Sequence, residues 1–393
     1  MRTLPPRAEV IVVGGGIVGL SIALALAEAG AKPLVLEAKS FGGAVTGGSL
    51  AAIGSHMHGL TEFALMRFAC DLWQIFAETN DTSIEYNRQG LLGFILDQQA
   101  LENGERWVRD ERALGSECRM LTSAEVPEIE PRLTGTVVGA TFAPDTATVN
   151  PFLAARAILR RARATGAQLF EHAPVAKLTI TGGRISGVRL TTGEEIVAST
   201  VVLASGPWSQ EIAASIGIDL PLVPRQAQCL ASLRQPLGTL RCVISAVEGK
   251  GGVDSGYTQI QQSASGQILF NTVTMLTKTH ARAKDTIREV PPSFVVSSID
   301  MLGRLFPSLA NVELLRSWVR FEAVTPDARF LAGRTGPEGL WICAGDNGSG
   351  YCRALMLGRF MANEITGRNL LDPTLNEDAR RLYDPARFGR LAA

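Results

Sequence analysis

The residues that could do chemistry first appear in a glycine-rich segment near the start of the chain. It reads Gly14-Gly15-Gly16-Ile17-Val18-Gly19, and Glu37 follows eighteen residues after Gly19. In such a motif the first glycine permits a tight turn, the second lets the backbone approach a pyrophosphate, and the third lets a helix pack closely on a strand. A glutamate at this distance can accept hydrogen bonds from a ribose diol and would repel a 2′-phosphate. These residues predict a dinucleotide site.

The surrounding sequence predicts the elements that would position this motif. A buried strand is predicted over residues 9–13, a helix over 17–29 and a second strand over 33–37. The N-terminus of the helix would offer unpaired N–H groups and a positive dipole end to phosphates. The alternative is a glycine-rich turn between a strand and a helix that binds no ligand.

The composition predicts a large folded protein. The chain has 393 residues, of which 46% are hydrophobic, and its 38 basic and 38 acidic residues balance. This length predicts two interleaved or consecutive domains. The balanced charge argues against nucleic acid or an anionic membrane surface as the main partner. The mean hydropathy of +0.14 fits either a large core or a protein–protein interface.

Compartment and metal content can also be predicted. The apolar run over residues 10–26 contains four glycines and predicts neither a secretory signal nor a transmembrane segment. None of the six cysteines forms a CxxC pair, so we expect no zinc or iron–sulfur site. The expected location is the cytoplasm, with reduced thiols.

Two later glycine-rich turns each follow a predicted strand. The strand predicted over 201–204 ends in Ser205-Gly206, which suits close contact with a bound cofactor beside the first turn. A strand predicted over 340–343 precedes Gly345-Asp346-Asn347-Gly348-Ser349-Gly350, and a helix is predicted over 351–365. A turn that opens a helix is a second anion site. For both turns the alternative is a purely structural role.

Five segments, in this order, resemble the D-amino-acid oxidase family of FAD-dependent amine oxidoreductases. They are the N-terminal unit, the loop Phe41-Gly42-Gly43-Ala44-Val45-Thr46-Gly47-Gly48-Ser49, and residues 145–151, 174–208 and 316–350. Together they span nearly the whole chain, and their order is more specific than any one of them. Within the family, the sequence most resembles the β subunits of heteromeric opine and D-hydroxyproline dehydrogenases.

The resemblance implies an α/β fold, with a Rossmann-like FAD-binding domain of the glutathione-reductase-like flavin type and a discontinuous α+β substrate domain. We expect the FAD-binding domain to comprise residues 1–85, 146–220 and 315–393. Residues 86–145 and 221–314 would form the substrate or cap domain, with strands at 90–96, 257–260 and 267–270.

The resemblance also implies the residues that contact FAD. In the family, the helix N-terminus after the last glycine turn faces the flavin pyrimidine ring, where its dipole stabilises charge that develops on reduction. The expected contacts are Gly14, Gly16, Ile17, Val18, Gly19, Glu37, Ala38, Thr46, Gly47, Gly48, Ser49, Val175, Ser205, Gly206, Trp208, Gly345, Asn347, Gly348, Ser349, Gly350 and Tyr351.

The implied chemistry is oxidation of the C–N bond of an amine or amino acid, with hydride transfer to flavin N5 and hydrolysis of the imine in water. A free-base amine needs no strong protein base, so few acid–base residues are expected. His56 and His58 lie just past the flavin loop, and we expect one of them, His56 first, to face the active site. Otherwise they are loop or core histidines that are hydrogen-bonded locally.

Three positions bear on the substrate and the electron acceptor. Glu322 stands where the family often has an arginine; it would favour a cationic group such as the guanidinium of an arginine-derived opine, or else pair with Arg320 or another arginine. Leu269 takes the place of a lysine that assists oxygen reduction in related oxidases, which favours a dehydrogenase. Arg353 would bind a substrate carboxylate or pair on the helix surface.

The sequence therefore predicts an FAD-dependent amine or amino-acid dehydrogenase that acts on an opine-like or D-amino acid. It would be the β-type catalytic subunit of a heteromeric complex, with a further FMN conceivable at a subunit interface. One alternative is a stand-alone oxidase of glycine, sarcosine or a D-amino acid that produces peroxide. Another is a flavoprotein subunit without catalytic activity.

Overall fold

A computed structural model of the chain describes residues 3–247, 258–271 and 289–389. Its α-helices, numbered α1 to α9 in chain order, are Ile17–Glu28, Phe63–Thr79, Gln98–Ala113, Val126–Ile129, Pro151–Ala164, Ser209–Ala214, Pro292–Leu305, Gly350–Thr366 and Pro373–Tyr383. Its β-strands, β1 to β20, are Val10–Val13, Pro33–Leu36, Ala52–Ile53, Asn87–Arg88, Leu91–Ile95, Arg119–Thr122, Gly139–Ala143, Ala147–Thr148, Gln168–Phe170, Val175–Thr181, Arg184–Leu190, Glu195–Val197, Val201–Leu203, Val223–Arg234, Val243–Ala246, Gln259–Gln262, Gln267–Asn271, Leu314–Val324, Leu331–Arg334 and Leu340–Ala344.

A six-stranded sheet carries the nucleotide unit. Its strand order is β19-β20-β13-β1-β2-β9. All its pairs are parallel except β19 with β20. The helices α1, α5 and α8 pack together over one face, and the three-stranded sheet β10-β11-β12 packs on the other. This parallel α/β arrangement confirms the predicted fold class.

The first strand shows why this sheet is buried on both faces. Val10 and Val12 belong to the core beneath the helices, whereas Ile11 and Val13 belong to the core shared with the three-stranded sheet. Successive side chains of a strand point to opposite faces, so a run of four valine and isoleucine residues supplies both cores at once.

An eight-stranded sheet, of order β18-β14-β17-β16-β15-β5-β7-β6, forms the second part of the molecule. One of its faces is apolar: Leu92, Leu230 and Phe270 pack with Phe294 and Leu302 of α7. Its longest pairing joins β14 to β18 antiparallel, from Val223 opposite Val324 to Ser232 opposite Leu314. The opposite face is more polar and contributes to the site described below.

A third, short sheet has the strand order β3-β8-β4. In the sequence, its strands lie where the chain passes from the six-stranded sheet to the eight-stranded sheet and back. Its first strand, Ala52–Ile53, continues the glycine-rich loop and pairs with Ala147–Thr148. The loop is thereby fixed at its C-terminal end as well as at the helix α1.

The predicted elements of the nucleotide unit are confirmed within one residue at each end. The strands predicted at 90–96 and 267–270 are present as β5 and β17. The strand predicted at 257–260 overlaps β16, but residue 257 lies outside the described residues. The two-domain division stays a prediction. One strand does not follow the expected boundary: β18 belongs to the eight-stranded sheet, although it lies almost wholly within residues 315–393, which were assigned to the FAD-binding domain. None of the helices in the described ranges has the length and apolar character needed to cross a bilayer.

Candidate active site

The first glycine turn is shaped by contacts that leave no room for side chains. Gly14 has a φ of +109°, and a Cβ atom there would lie 2.6 Å from the carbonyl oxygen of Ala204. A Cβ atom on Gly19 would lie 2.0 Å from the carbonyl oxygen of Gly14. The turn therefore requires glycine at both positions, so that β1, β13 and α1 can pack closely.

Gly16 differs from its neighbours, because its Cβ position is almost open. Among the residues that the structure describes, the one atom within 4 Å of a Cβ there would be the hydroxyl oxygen of Thr46, at 3.2 Å. Gly16 is also the N-cap of α1, and as a glycine it has no side chain of its own to cap the helix. The N–H of Ile17 donates to the Thr46 hydroxyl at 2.9 Å, which brings the glycine-rich loop onto the helix N-terminus. A glycine-rich helix N-terminus with room beside Gly16 fits the pyrophosphate of FAD.

Glu37 lies beside this turn at the end of β2. Its carboxylate accepts hydrogen bonds from the N–H groups of Gly15 (2.7 Å) and Lys39 (2.8 Å). The N–H of Ala173 donates to the Glu37 carbonyl at 2.9 Å, so the segment that leads to Val175 runs alongside. The carboxylate is thus fixed next to the glycine turn, as a ribose-binding role requires. The adjoining Ala38 is exposed.

The segment after β13 closes over the same turn. The N–H of Ala204 donates to the Val13 carbonyl at 2.8 Å. Ser205 then precedes a single 3₁₀ turn, Gly206–Trp208, and its hydroxyl lies 3.0 Å from that of Ser209. The structure therefore brings the two glycine turns together, as the sequence predicts, and these residues fit the dinucleotide part of FAD.

The turn before α8 forms a second helix N-terminus. The Asp346 carboxylate accepts from the N–H groups of Ala323 (2.8 Å) and Gly348 (3.2 Å), and the Asn347 side-chain oxygen accepts from the N–H of Thr325 (3.0 Å). Burial and the nearby Glu322 raise the pKa of Asp346 to about 6. These bonds tie the turn to the end of β18 and leave the N-cap without a side-chain cap.

The Tyr351 side chain fixes the first turn of α8 from the other side. Its hydroxyl donates to the Pro151 carbonyl at 2.8 Å, and its ring stacks on Trp73 with centroids 5.5 Å apart.

A cavity of about 330 Å³ lies between these elements. Most of the lining comes from three parts of the fold: the segment that runs from the glycine-rich loop through β3 to His58, the turn and first residues of α8, and the polar face of the eight-stranded sheet. Trp107 of α3 and Thr146 before β8 complete it. The lining residues are Ser49, Leu50, Ala51, Ala52, Gly54, His56, Met57, His58, Leu91, Trp107, Thr146, Ser245, Ala246, Val247, Gln259, Arg320, Asn347, Gly348, Ser349, Tyr351 and Cys352. A planar flavin ring and a small substrate fit such a space.

His56 lines this cavity. Its Nδ1 lies 2.6 Å from the Glu111 carboxylate and its Nε2 lies 2.9 Å from the Thr141 hydroxyl. Burial disfavours the charged imidazole, but hydrogen bonds to Cys118 and Glu111 outweigh burial and raise the pKa of His56 to about 9. His56 is therefore a cation in the cavity wall at neutral pH.

His58 also lines the cavity, and its side chain is accessible. Enclosure by the cavity wall and the positive charges of Arg353 and His56 lower the pKa of His58. His58 is therefore neutral where His56 is charged.

The structure places Glu322 behind the cavity wall and not among the lining residues. Its buried carboxylate lies 2.7 Å from Arg225 and 3.1 Å from Arg320. Burial would raise its pKa, but the two arginines overcome this and lower the pKa of Glu322. The observed arrangement is thus the alternative in which arginines of the protein pair with this carboxylate. No substrate cation is needed to balance it.

Arg353 is likewise absent from the lining of the cavity. Its guanidinium pairs with the Glu62 carboxylate at 2.6 Å and also contacts the Ser349 hydroxyl. The side chain is buried, so it is neither a carboxylate-binding group at the cavity wall nor a pair on the helix surface. It instead joins α8 to the residue that precedes α2.

Sequence reasoning considered Arg320 only as a partner for Glu322, yet Arg320 is the arginine that lines the cavity. Its guanidinium donates to the Gly48 carbonyl at 3.1 Å and to Glu322. Residues two apart on a strand share a face, so Arg320 lies on the same face of β18 as Glu322. The departure from the family pattern at Glu322 was therefore a signal that could have directed attention to Arg320. Glu111 and Thr141 were also missed, because nothing in their local sequence indicates that they contact His56.

His56, Glu111 and Cys118 form the group of described residues that most resembles a metal site. Their ligand atoms all lie within 4.8 Å of one another, and all three residues are buried. Both imidazole nitrogens of His56 already have hydrogen-bond partners, and so do both carboxylate oxygens of Glu111. The Glu111 oxygen that does not contact His56 accepts from the N–H of Met57 at 2.8 Å. The group is accounted for as a hydrogen-bonded network.

Known proteins resemble the chain over nearly its whole length. Glycine oxidase of Bacillus licheniformis is 27% identical over 369 residues, which cover 92% of this chain and 94% of that protein. 4-Methylaminobutanoate oxidase (formaldehyde-forming) of Paenarthrobacter nicotinovorans is 26% identical, over 92% of this chain and 44% of that protein. The crystal structure of L-proline dehydrogenase from P. horikoshii superposes with a TM-score of 0.87 at 26% identity, covering 98% of this chain and 99% of that one. The sequence profile of the DAO family, described as FAD dependent oxidoreductase, matches residues 9–364, and the chain belongs to this family of FAD-dependent oxidoreductases.

Proposed function

We propose that this enzyme oxidises the C–N bond of an amino acid or N-substituted amino acid whose carboxylate binds at Arg320. The main support is the distribution of charge at the cavity. Arg320 and the protonated His56 line it, whereas no aspartate or glutamate does so among the described residues. Cations in the wall with carboxylates behind them favour an anionic group on the substrate.

The names of the relatives agree with such a substrate. Glycine oxidase and L-proline dehydrogenase are both named for amino acids, and each resembles this chain over more than nine tenths of its length. The proposal does not retain an arginine-derived opine as the substrate. Glu322 was expected to bind the guanidinium of such a substrate, but its carboxylate is already paired with two arginines of the protein.

The residues of the chain would bind and orient the substrate. FAD, when bound, supplies the oxidant, because its N5 atom accepts a hydride from the carbon next to the substrate nitrogen. Arg320 is held by Gly48 and Glu322, so its guanidinium presents a fixed direction to a carboxylate. The N-terminus of α8 directs its positive dipole end at the cavity. Neutral His58 adds no charge that would repel an amine.

The experiment is anaerobic reduction of the FAD-loaded protein with glycine, proline and N-methylglycine, each compared with its amide. We expect the acids to bleach the flavin band. Arg320→Met should raise KM for the acids by tenfold or more, about 1.4 kcal/mol, and should change the reaction of the amides little. Arg316→Met is the matched control, since Arg316 lies on the same strand and stacks on Trp318 instead of lining the cavity. Equal losses for acids and amides would contradict the role of Arg320.

We further propose that the chain acts as a dehydrogenase and as the β-type catalytic subunit of a heteromer. No lysine lines the cavity within the described residues. Leu269 lies opposite Gln261 in the β16–β17 pair, on the same face as the cavity-lining Gln259. Exposed apolar side chains such as Leu237 and Val296, which are 73% and 68% accessible, would suit a partner subunit. FMN at a subunit boundary stays a prediction.

The second candidate is a stand-alone oxidase, which the name of the Bacillus licheniformis relative favours. The two candidates differ in what reoxidises the flavin. Rapid reoxidation by air with stoichiometric peroxide would favour the oxidase. Slow reoxidation by air, together with fast reduction of a quinone or dye, would favour the dehydrogenase.

A further inference from the structure

The eight-stranded sheet gives the two ends of the cavity different chemistry. Arg320 lines the cavity from β18, at one edge of the sheet. Gln259 lines it from β16, Ser245 from β15 and Leu91 from β5, in the order in which these strands lie in the sheet. Neighbouring strands are about 4.8 Å apart, so the cavity runs from the guanidinium across β16 and β15 to β5.

A chain of hydrogen bonds fixes the orientation of the Gln259 amide. The Leu50 carbonyl can only accept a hydrogen bond, so it is the amide nitrogen of Gln261 that lies 2.7 Å from it. The amide oxygen of Gln261 then accepts from the amide nitrogen of Gln259 at 2.5 Å. The Gln259 oxygen is thus on the other side of its amide and is available to accept from a ligand in the cavity.

Ser245 is a second acceptor, directly beside the first. Its hydroxyl donates its one proton to the Thr258 carbonyl at 2.8 Å, so toward a ligand the hydroxyl oxygen can only accept. Ser245 is paired with Gln259 across β15 and β16, and residues paired in this way share a face of the sheet. The middle of the cavity therefore suits a group that donates hydrogen bonds, such as an amine.

The far end of the cavity is apolar. Met57 and Val247 line it beside Gly93 of β5, where a Cβ atom on Gly93 would lie 2.9 Å from Val247 Cγ2 and 3.5 Å from Met57 Cε. Trp107 lines the cavity from α3, which packs on β5. Gly93 is paired with Ser245, so this apolar end adjoins the two acceptors.

The second cation of the wall, His56, lies near this end, because it contacts Thr141, which is paired with Gly93. Its two ring nitrogens are already hydrogen-bonded, one to Glu111 and one to Thr141. The imidazolium therefore has no N–H left for a carboxylate, whereas Arg320 lies at the opposite end of the cavity.

We propose that the substrate is an N-substituted amino acid whose apolar N-substituent binds against Met57, Val247 and Trp107. Its carboxylate binds Arg320 and its amine lies between the two ends, so the group beyond the amine is attached to nitrogen. A secondary ammonium has two N–H groups, which match the two acceptors. A primary ammonium has a third, which would face the apolar end unpaired. This inference rests on the proposed function, from which it takes the carboxylate site.

The test compares isomers that differ only in where the apolar group is attached. N-Benzylglycine is compared with both enantiomers of phenylalanine, and N-propylglycine with both enantiomers of norvaline, in anaerobic reduction of the FAD-loaded protein. We expect KM for each N-substituted isomer to be at least tenfold lower. An equal or lower KM for the isomers substituted at the α-carbon would overturn the inference and leave the proposed function intact. A flavin that none of these acids, nor glycine or proline, reduces would overturn both.

The apolar end is tested with Trp107→Ala. This change should raise KM for N-benzylglycine at least tenfold more than KM for N-methylglycine, which has no group long enough to fill the apolar end. Leu114→Ala is the matched control, because Leu114 is an exposed apolar residue at the C-terminus of the same helix and does not line the cavity. The control should change neither KM. Equal effects of Trp107→Ala on the two substrates would show that the N-substituent does not bind there.

The amine position is tested with Ser245→Ala and a ligand that has no N–H group. In (benzylthio)acetate a sulfur atom replaces the nitrogen of N-benzylglycine, so its inhibition constant reports binding without the amine. Ser245→Ala should raise KM for N-benzylglycine at least fivefold more than it raises this inhibition constant. If both constants rise equally, Ser245 shapes the cavity and does not bind the amine.

Discussion

Buried cations near the cavity are each paired with a carboxylate that lies farther from it. Arg320 has Glu322 behind it, and His56 has Glu111. A buried charge without a partner would be costly, so each carboxylate keeps its cation both charged and fixed in direction. Glu322 and Glu111 are therefore expected to affect stability and the charge of the wall without touching the substrate.

The first prediction concerns Glu322→Gln. The change leaves Arg225 and Arg320 without the carboxylate they share, so the free energy of unfolding should fall by about 3–5 kcal/mol. Denaturant titration of the apoprotein would measure this, with Glu338→Gln as control, because Glu338 forms an exposed pair with Arg184 and should matter little. A rise in KM confined to cationic substrates would instead support a substrate-binding role for Glu322.

The second prediction concerns the pH dependence set by His56 and Glu111. The pKa of His56 is raised from about 6.5 in the unfolded chain to about 9 in the folded protein. The stabilisation is therefore fully present below about pH 6.5 and is lost as the pH rises through 9, with a total of about 3 kcal/mol. The groups that face the imidazole are Glu111, Thr141 and Cys118.

Glu111→Gln tests this assignment. The difference in melting temperature between the wild type and this variant should be largest near pH 6 and should shrink by pH 9.5. The pH profile of flavin reduction should show the same group, with the His56 transition moved to lower pH in the variant. A difference in melting temperature that is constant from pH 6 to 9.5 would show that Glu111 acts through packing alone.

The third prediction concerns the turn between β1 and α1, where two glycines have different purposes. Gly14→Ala forces a positive φ on alanine and places its Cβ 2.6 Å from the Ala204 carbonyl, so it should destabilise the apoprotein by more than about 2 kcal/mol. In the described part of the chain, the added Cβ of Gly16→Ala meets the Thr46 hydroxyl alone, at 3.2 Å, so the apoprotein melting temperature should be nearly unchanged. It should weaken FAD binding at least tenfold, because the added methyl group occupies the space over the helix N-terminus.

Flavin fluorescence titration and thermal melts of the two apoproteins would distinguish these effects. If Gly16→Ala binds FAD as tightly as the wild type does, Gly16 does not contact the pyrophosphate. The same variant also tests the local sequence reasoning, since the role of Gly16 was inferred from spacing alone.

Local patterns predicted the elements well because each depends on residues close in sequence. The strand, glycine turn and helix from Val10 to Glu28 follow from burial on both faces and from the spacing of three glycines. Contacts between residues far apart in the sequence could not be predicted. Arg225 contacts Glu322, 97 residues away, because β14 and β18 pair in a particular register. The departure at Glu322 and a pairing with Arg320 were visible in the sequence, whereas the second arginine, Arg225, was not.

The molecule as a whole places the cavity where the glycine-rich loop, the N-terminus of α8 and the eight-stranded sheet meet. The sheet presents an apolar face to α7 and its polar face to the cavity. Cavity residues such as Ser245 and Gln259 therefore come from neighbouring strands of one sheet, paired in register.

The last prediction concerns the electron acceptor. If the chain is a dehydrogenase, its substrate-reduced flavin should react slowly with oxygen and quickly with a quinone or dye. Leu269 faces the same side of the sheet as Gln259, so Leu269→Lys should place a cation near the flavin and speed reoxidation by oxygen at least tenfold. A lysine there would stabilise the superoxide-like charge that develops when oxygen is reduced. Leu269→Met is the control for packing. Stopped-flow reoxidation of the anaerobically reduced protein measures both rates, and fast reaction of the wild type with oxygen would instead establish the stand-alone oxidase.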